Sequence, residues 1–369
     1  MLAGMMALGA MAQEGKLTVS GYYNGLGDSV RVFLVDASGE MLVQENRAIA
    51  GDKIDMTFDL KNVATLYVFG LENGQLSLEN SFSLPALPGE HAVIEGNADN
   101  FTMDGSQFYR DYHEASNLIK APQEAAQAFM RELRNNLSAG VPEAEIDKEY
   151  EEKYPALEQA LADAVLGYVK AHPDADASAM LLADLGSDTK HMKEGAALLS
   201  ERARGSIAAN MYKSILAAAE KEEASQSLQE GLEGQMAPDF TLMDINGKPL
   251  ALSSLRGKWV IIDFWGSWCG WCIKGMPKMK EYYAKYNDKL EILGVDCNDT
   301  VEKWKGAVAK HEIPWLHVYW DKDNGDNPVE LYGVQGFPTK VVVDPQGKVA
   351  KIIVGEAPSF YDYLDEVLK

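Results

Sequence analysis

The chain contains three cysteines, and two of them stand three apart in Gly266-Ser267-Trp268-Cys269-Gly270-Trp271-Cys272. The run before them, Trp259 to Trp265, is apolar apart from one acid, Asp263, and an amphipathic helical pattern follows as far as Tyr286. A cysteine pair at the point where a buried strand becomes a helix suits one chemistry. The helix start sets the first sulfur where backbone N–H groups and the helix dipole favour a thiolate. The spacing keeps the second sulfur within reach of a mixed disulfide formed at the first. Dithiol–disulfide exchange is therefore predicted, with no cofactor. A zinc site would need two further ligands, whereas Cys297 is alone and His311 and His317 are distant with no second cysteine pair, so no metal is expected. Asp263 should have a raised pKa if its strand is buried; the structural alternative is a strand-end acid paired with Lys258 or Lys289. Cys297 follows the predicted strand Leu290 to Val295 and is either a third redox thiol or, the preferred reading, a small semi-buried residue.

The elements around this motif alternate strand, helix, strand from Ala237 onward, which implies an α/β sheet for residues 236–369. Upstream, residues 13–105 read as β-structure. Seven short alternating or β-branched runs, from Leu17–Tyr22 to Phe101–Met103, are separated by turn-formers such as Asn24-Gly25, Asn73-Gly74 and Pro88-Gly89. They predict a small antiparallel, all-β sandwich or barrel. Residues 106–230 change to helical periodicity in segments such as Ala121–Leu137, Glu143–Glu152, Ala156–Lys170, Ala177–Leu185 and Ser206–Glu223. Gly140, Pro142, Pro155, Pro173 and Gly186 act as breakers, and a central α-helical segment of several short antiparallel helices is expected. The polar stretch Glu223–Gln235 reads as a linker, with 231–235 as its core. Residues 1–12 are apolar and small-residue-rich, and Ala10-Met11-Ala12 has the form of a signal-peptidase site, which predicts export to a periplasm or cell envelope.

The motif closely resembles the thioredoxin superfamily. Ile262-Asp263-Phe264-Trp265 followed by Trp268-Cys269-Gly270-Trp271-Cys272 matches the family's active-site strand and helix start. Pro277 matches the proline within its active-site helix, and Gly336-Phe337-Pro338-Thr339 matches the segment whose cis-proline faces the dithiol. The entry segment Ala237-Pro238-Asp239-Phe240-Thr241-Leu242, with Ser254-Leu255-Arg256-Gly257-Lys258, is similar to the TlpA and ResA type of envelope reductases, some of which serve cytochrome c maturation. The β-rich region ahead of the module is similar to an uncharacterised N-terminal domain family of envelope redox proteins. The resemblance implies a C-terminal α/β thioredoxin-like fold, whose extra strand-helix insertion Asp299–Tyr319 would supply. It implies that Cys269, exposed, is the attacking thiolate, that the more buried Cys272 resolves the mixed disulfide and forms a disulfide with it, and that Asp263 takes the proton of Cys272. Pro338 should be cis and, with Phe337, Thr339, Trp268 and Trp271, should bind an extended substrate segment. Trp265 and Trp268 are expected to flank the site as a hydrophobic collar, although core packing alone would account for Trp265. Trp271 stands where thioredoxins carry proline, which leaves the direction of electron flow open between reductase and thiol oxidase or isomerase.

Composition closes off other classes. The formal charge is -22 and the pI about 4.7, which argues against nucleic acid as a partner. The acidic excess falls on residues 1–235, because residues 236–369 carry 16 Lys and Arg against 19 Asp and Glu. Three cysteines cannot build a disulfide scaffold. A peroxidase is disfavoured because Gly266 occupies the place, three residues before the first cysteine, where peroxiredoxins need threonine. The expected partners are disulfide-containing envelope proteins as substrates and a membrane thiol donor. Residues 13–235 are expected to dock a partner or to mediate self-association.

Overall fold

The computed structural model describes residues 15–322 and 325–369, and the chain divides between Glu220 and Lys221 into two compact units. The apolar leader expected at residues 1–12 lies outside the described residues.

In the first unit, alternation of apolar and polar residues makes eight strands: β1 (Gly15–Asn24), β2 (Ser29–Asp36), β3 (Met41–Ala48), β4 (Lys53–Leu60), β5 (Ala64–Glu72), β6 (Gln75–Ala86), β7 (His91–Asn97) and β8 (Phe101–Gly105). They form two four-stranded sheets, β4-β1-β7-β8 and β3-β2-β5-β6, which share one core containing Leu17, Val19, Val32, Ile54, Phe58 and Leu66. Of the two expected architectures, the sandwich is the one formed. Two details differ from expectation. Strands β1 and β7 pair in parallel: after β4 has paired antiparallel with one edge of β1, the chain crosses through β5 and β6 of the other sheet and comes back along the other edge as β7. Strand β3 was not expected because Met41–Ala48 buries no residue; it is an edge strand held by pairing with β2 rather than by an apolar face.

Helices α1 (Gln107–Ser138), α2 (Glu143–Ala171), α3 (Asp176–Leu181), α4 (Thr189–Leu198), α5 (Glu201–Gly205) and α6 (Ala209–Leu232) follow. They pack around Ile119, Val165, Val169, Leu182, Met192 and Tyr212, while Phe108 and Tyr109 of α1 enter the sheet core. The β-rich and helical segments therefore fold as one compact unit, where two domains were expected. Pro155, expected as a breaker, lies inside α2. A proline removes one backbone donor, here to the carbonyl of Glu151, and that residue is exposed, so water can satisfy it without ending the helix.

The second unit contains β9 (Thr241–Asp244), β10 (Pro249–Ala251), β11 (Trp259–Trp265), α7 (Gly270–Tyr286), β12 (Leu290–Asp296), α8 (Val301–Lys310), β13 (Leu316–Tyr319), α9 (Pro328–Leu331), β14 (Thr339–Val343), β15 (Val349–Val354) and α10 (Pro358–Val367). Its sheet has the order β10-β9-β13-β12-β11-β14-β15, with β13, β12 and β11 parallel and the other pairs antiparallel. The insertion Asp299–Tyr319 is α8 followed by β13. Period two along the central strands sends Ile261, Trp265 and Val342 to a face shared with Met276 of α7 and Phe360 of α10. It sends Val260, Ile262, Phe264 and Val341 to a second apolar face with Tyr332.

The expected linker is not free chain. Helix α6 continues to Leu232. From the second unit, Ser225 Oγ and Gln229 Nε2 donate to the carbonyl of Gly333, and Glu233 Oε1 accepts the N–H of Ile352 at 2.9 Å. Polar side chains that read as solvated in the sequence are here satisfied by backbone groups of the redox unit.

Candidate active site

The dithiol is built from the end of β11. Trp265 closes the strand inside the core, the turn Gly266-Ser267-Trp268 follows, and Cys269 is the cap of α7, its Sγ accepting the N–H of Cys272 at 3.1 Å. Cys269 and Cys272 are joined as a disulfide. Cys269 is not the exposed member expected, since both cysteines are 5% exposed. In the disulfide its sulfur lies against the first turn of the helix, bonded to Cys272 Sγ and accepting the Cys272 N–H.

The turn is stitched to the loop after β12. Ser267 donates to Asp299 through its backbone N–H at 2.6 Å and its hydroxyl at 2.7 Å, and Trp268 Nε1 donates to the carbonyl of Cys297 at 3.0 Å. A Cβ at Gly266 would overlap the Trp268 indole, so the turn needs glycine there. Trp268 and Trp271 are the exposed aromatic residues of the motif, at 51% and 63%. Trp268 meets the Phe337 ring edge-on at 5.2 Å, and Lys274 Nζ lies 4.7 Å from the Trp271 centroid. Trp265 is buried in the core and does not flank the site. The Phe337–Pro338 bond is cis, the Pro338 carbonyl accepts the N–H of Gly355 at 2.7 Å, and buried Thr339 donates to the carbonyl of Gly336 at 2.8 Å.

Asp263 sits between Ile261 and Trp265 on the face that packs against Cys272 and Met276. Its register partner on β14 is Lys340. Directly opposed residues share a face, and Lys340 Nζ lies 3.9 Å from Asp263 Oδ1 and 2.8 Å from Glu356 Oε2. Tyr361 donates to Glu356 Oε1 at 2.6 Å. Burial raises the Asp263 pKa, the Lys340 charge opposes that rise, and the Glu356 charge adds to it. The structural alternative, an ion pair with Lys258 or Lys289, does not form: Lys258 reaches the carbonyl of Asn287 and Lys289 that of Leu368. The cation is Lys340, whose signal in the sequence is a lone charge in a valine-rich strand. Nothing local singles out Glu356, which approaches from the loop after β15.

The third cysteine, Cys297, is fully buried and free, donating weakly to the carbonyl of Val295, and burial pushes its thiol pKa well up. This matches the semi-buried-residue reading better than a redox role. Nearby, burial followed by the Asp299 charge pushes Asp296 up to about 9, and burial lowers His317 to about 4, so that both are neutral near pH 7.

The sheet order, the dithiol at a strand-to-helix junction and the cis-proline segment define a thioredoxin-like oxidoreductase unit. The sequence model of the AhpC/TSA family matches residues 234–352. The thiol-disulfide oxidoreductase ResA of Bacillus cereus is 33% identical over 166 residues, 45% of this chain and 88% of that protein. ResA of Bacillus subtilis is 32% identical over 136 residues, 36% of this chain and 74% of that protein. Among solved structures, the thioredoxin domain of a thiol-disulfide oxidoreductase from Bacteroides vulgatus is 31% identical, covering 37% of this chain and 98% of that one, with a TM-score of 0.34. The chain belongs to the ResA family of thiol-disulfide oxidoreductases and is an enzyme of thiol–disulfide exchange.

Proposed function

We propose that the protein is exported and reduces disulfides of envelope proteins, including substrates of cytochrome c maturation, and that a membrane thiol donor reduces it in turn. The observation that carries the exchange chemistry is the Cys269 sulfur at the start of α7, where the Cys272 N–H points at it. In the reduced protein that position favours the Cys269 thiolate. The thiolate attacks one sulfur of the substrate disulfide, forms the Cys269–substrate bond and releases one substrate thiolate. Cys272 then gives its proton to the Asp263 carboxylate and attacks Cys269, which releases the second substrate thiolate and leaves the Cys269–Cys272 disulfide. Phe337 and the exposed rings of Trp268 and Trp271 form the surface against which an extended substrate strand lies, while Thr339, expected in that surface, is fully buried and holds the turn from beneath by donating to the carbonyl of Gly336. The apolar residues 1–12 support export, and the first unit supplies recruitment or self-association.

In cells expressing Cys272→Ser, mixed disulfides between Cys269 and envelope proteins should accumulate and disappear on reduction; capture of no envelope protein would overturn the substrate assignment. A redox titration of the dithiol tests the direction, since a potential well above that of the donor would make the protein an oxidase.

A further inference from the structure

Two carboxylates and one ammonium are buried together behind the dithiol, and the exchange steps above use only one of them. The side chains of Asp263 and Lys340 are 7% and 3% exposed, and that of Glu356 is 16% exposed. Both oxygens of Glu356 are engaged, Oε2 by Lys340 and Oε1 by Tyr361, whereas Asp263 Oδ1 has no hydrogen-bond donor among the described residues. Burying one excess negative charge is costly, so the group of three favours one additional proton. That proton belongs on the carboxylate that the cation serves less well, which is Asp263.

The helix leaves space for this arrangement. Gly275 lies on α7 three residues after Cys272, and a Cβ there would overlap the Glu356 carboxylate. The other titratable groups near Asp263 on that face are Cys272 on α7 and Tyr361 on α10, while Cys297 packs in the apolar cluster of the other face; Lys340 and Glu356 are the two whose charges act on Asp263.

We propose that Glu356 is a positioning residue for the dithiol: by holding the Lys340 ammonium it withholds that cation from Asp263, so that Asp263 keeps a proton ready for Cys272. The inference rests on the dithiol-exchange reading. When an incoming thiolate attacks Cys269 of the oxidised protein, a new bond forms at the Cys269 sulfur and the Cys269–Cys272 bond breaks. The electron pair leaves on Cys272, and the Asp263 carboxyl protonates that thiolate. Resolution runs the same transfer backwards, from Cys272 to the Asp263 carboxylate.

The test is the rate at which dithiothreitol opens the oxidised full chain, measured between about pH 5 and 9 and expressed per reagent thiolate. In the native protein this rate should fall as Asp263 loses its proton. In Glu356→Gln, Lys340 is released to Asp263, and the fall should move to lower pH by about one unit. In Lys340→Met it should move to higher pH. In the double variant, the Glu356→Gln shift should be largely lost. An infrared difference spectrum supplies a readout independent of rate: the protonated carboxyl band that Asp263→Asn removes should weaken in Glu356→Gln near neutral pH. An unmoved midpoint in Glu356→Gln, or an equal shift with and without Lys340, would overturn the proposal, as would a flat native profile. Failure of the oxidised protein to exchange with any thiol would instead strike the underlying exchange reading.

Discussion

Two lysine–carboxylate clusters, one built partly from helix α7 and one packed beside it at Gly275, share their chemistry and differ in their surroundings. At the C-terminal end of α7, Lys285 meets Asp365 of α10 at 2.8 Å, with the hydroxyls of Tyr282 and Tyr286 on the same carboxylate at 2.6 and 2.7 Å. Near its dithiol end, Lys340 meets Glu356 at 2.8 Å, with the Tyr361 hydroxyl at 2.6 Å. The first pair is 55% and 40% exposed, the second 3% and 16%. At the surface, water screens the pair and each charge has an alternative partner. In the interior a third charge, Asp263, has no such alternative, so the same contacts govern where a proton sits. The comparison separates an ornament of the helix surface from a cluster that acts on chemistry.

Removing the buried cation should have the largest effect. Lys340→Met leaves the Glu356 carboxylate, with Asp263 beside it, without its cation and should cost about 3 kcal/mol in urea denaturation near neutral pH. Gly275→Ala comes next. The added methyl meets the Glu356 carboxylate, an overpacking cost of about 1–3 kcal/mol, against about 1 kcal/mol gained in helix propensity. A net loss of about 1 kcal/mol is expected, together with the pH shift of Glu356→Gln.

Asp263→Asn should have a smaller effect, of opposite sign. The Asp263 pKa is raised on folding. Its contribution to stability is therefore fully present below the unfolded pKa and is lost as pH rises through the folded one. Asparagine avoids that loss, so the variant should gain on the native protein as pH rises, and denaturation at pH 5 and pH 8 checks this. Asp365→Asn should have the smallest effect. Hydrogen bonds from Lys285, Tyr282 and Tyr286 hold the Asp365 pKa below the usual range, so its contribution is present above the unfolded pKa and lost as pH falls through the folded one. The variant's melting temperature should differ slightly from native at pH 7, and the difference should close in strong acid and in high salt.

The same contrast explains what could be read without coordinates. The dithiol, Asp263 and Pro338 are visible because they stand in continuous local patterns, an apolar strand, a helix start and a Gly-Phe-Pro-Thr turn. Lys340 comes into play only through the antiparallel register that sets it opposite Asp263, and Glu356 through the loop after β15, one strand further along. No local pattern encodes either meeting. In the upstream unit, β3 was missed for a related reason: its residues follow the pairing of β2, not a buried face. Pro155 and the polar end of α6 mislead in the other direction. Each carries a strong local signal for a break, and tertiary contacts or solvent satisfy the groups that would have caused one.

The stitching of Ser267 and Trp268 to Asp299 and the Cys297 carbonyl bears on portability. The two residues between the cysteines, Gly270 and Trp271, are both exposed. The turn that carries the first cysteine is different, because it borrows three acceptors, both Asp299 oxygens and the Cys297 carbonyl, from a loop some thirty residues away. The smallest piece that could be grafted onto another scaffold with its geometry intact is therefore a pair of loops, Gly266–Cys272 together with Cys297–Asp299.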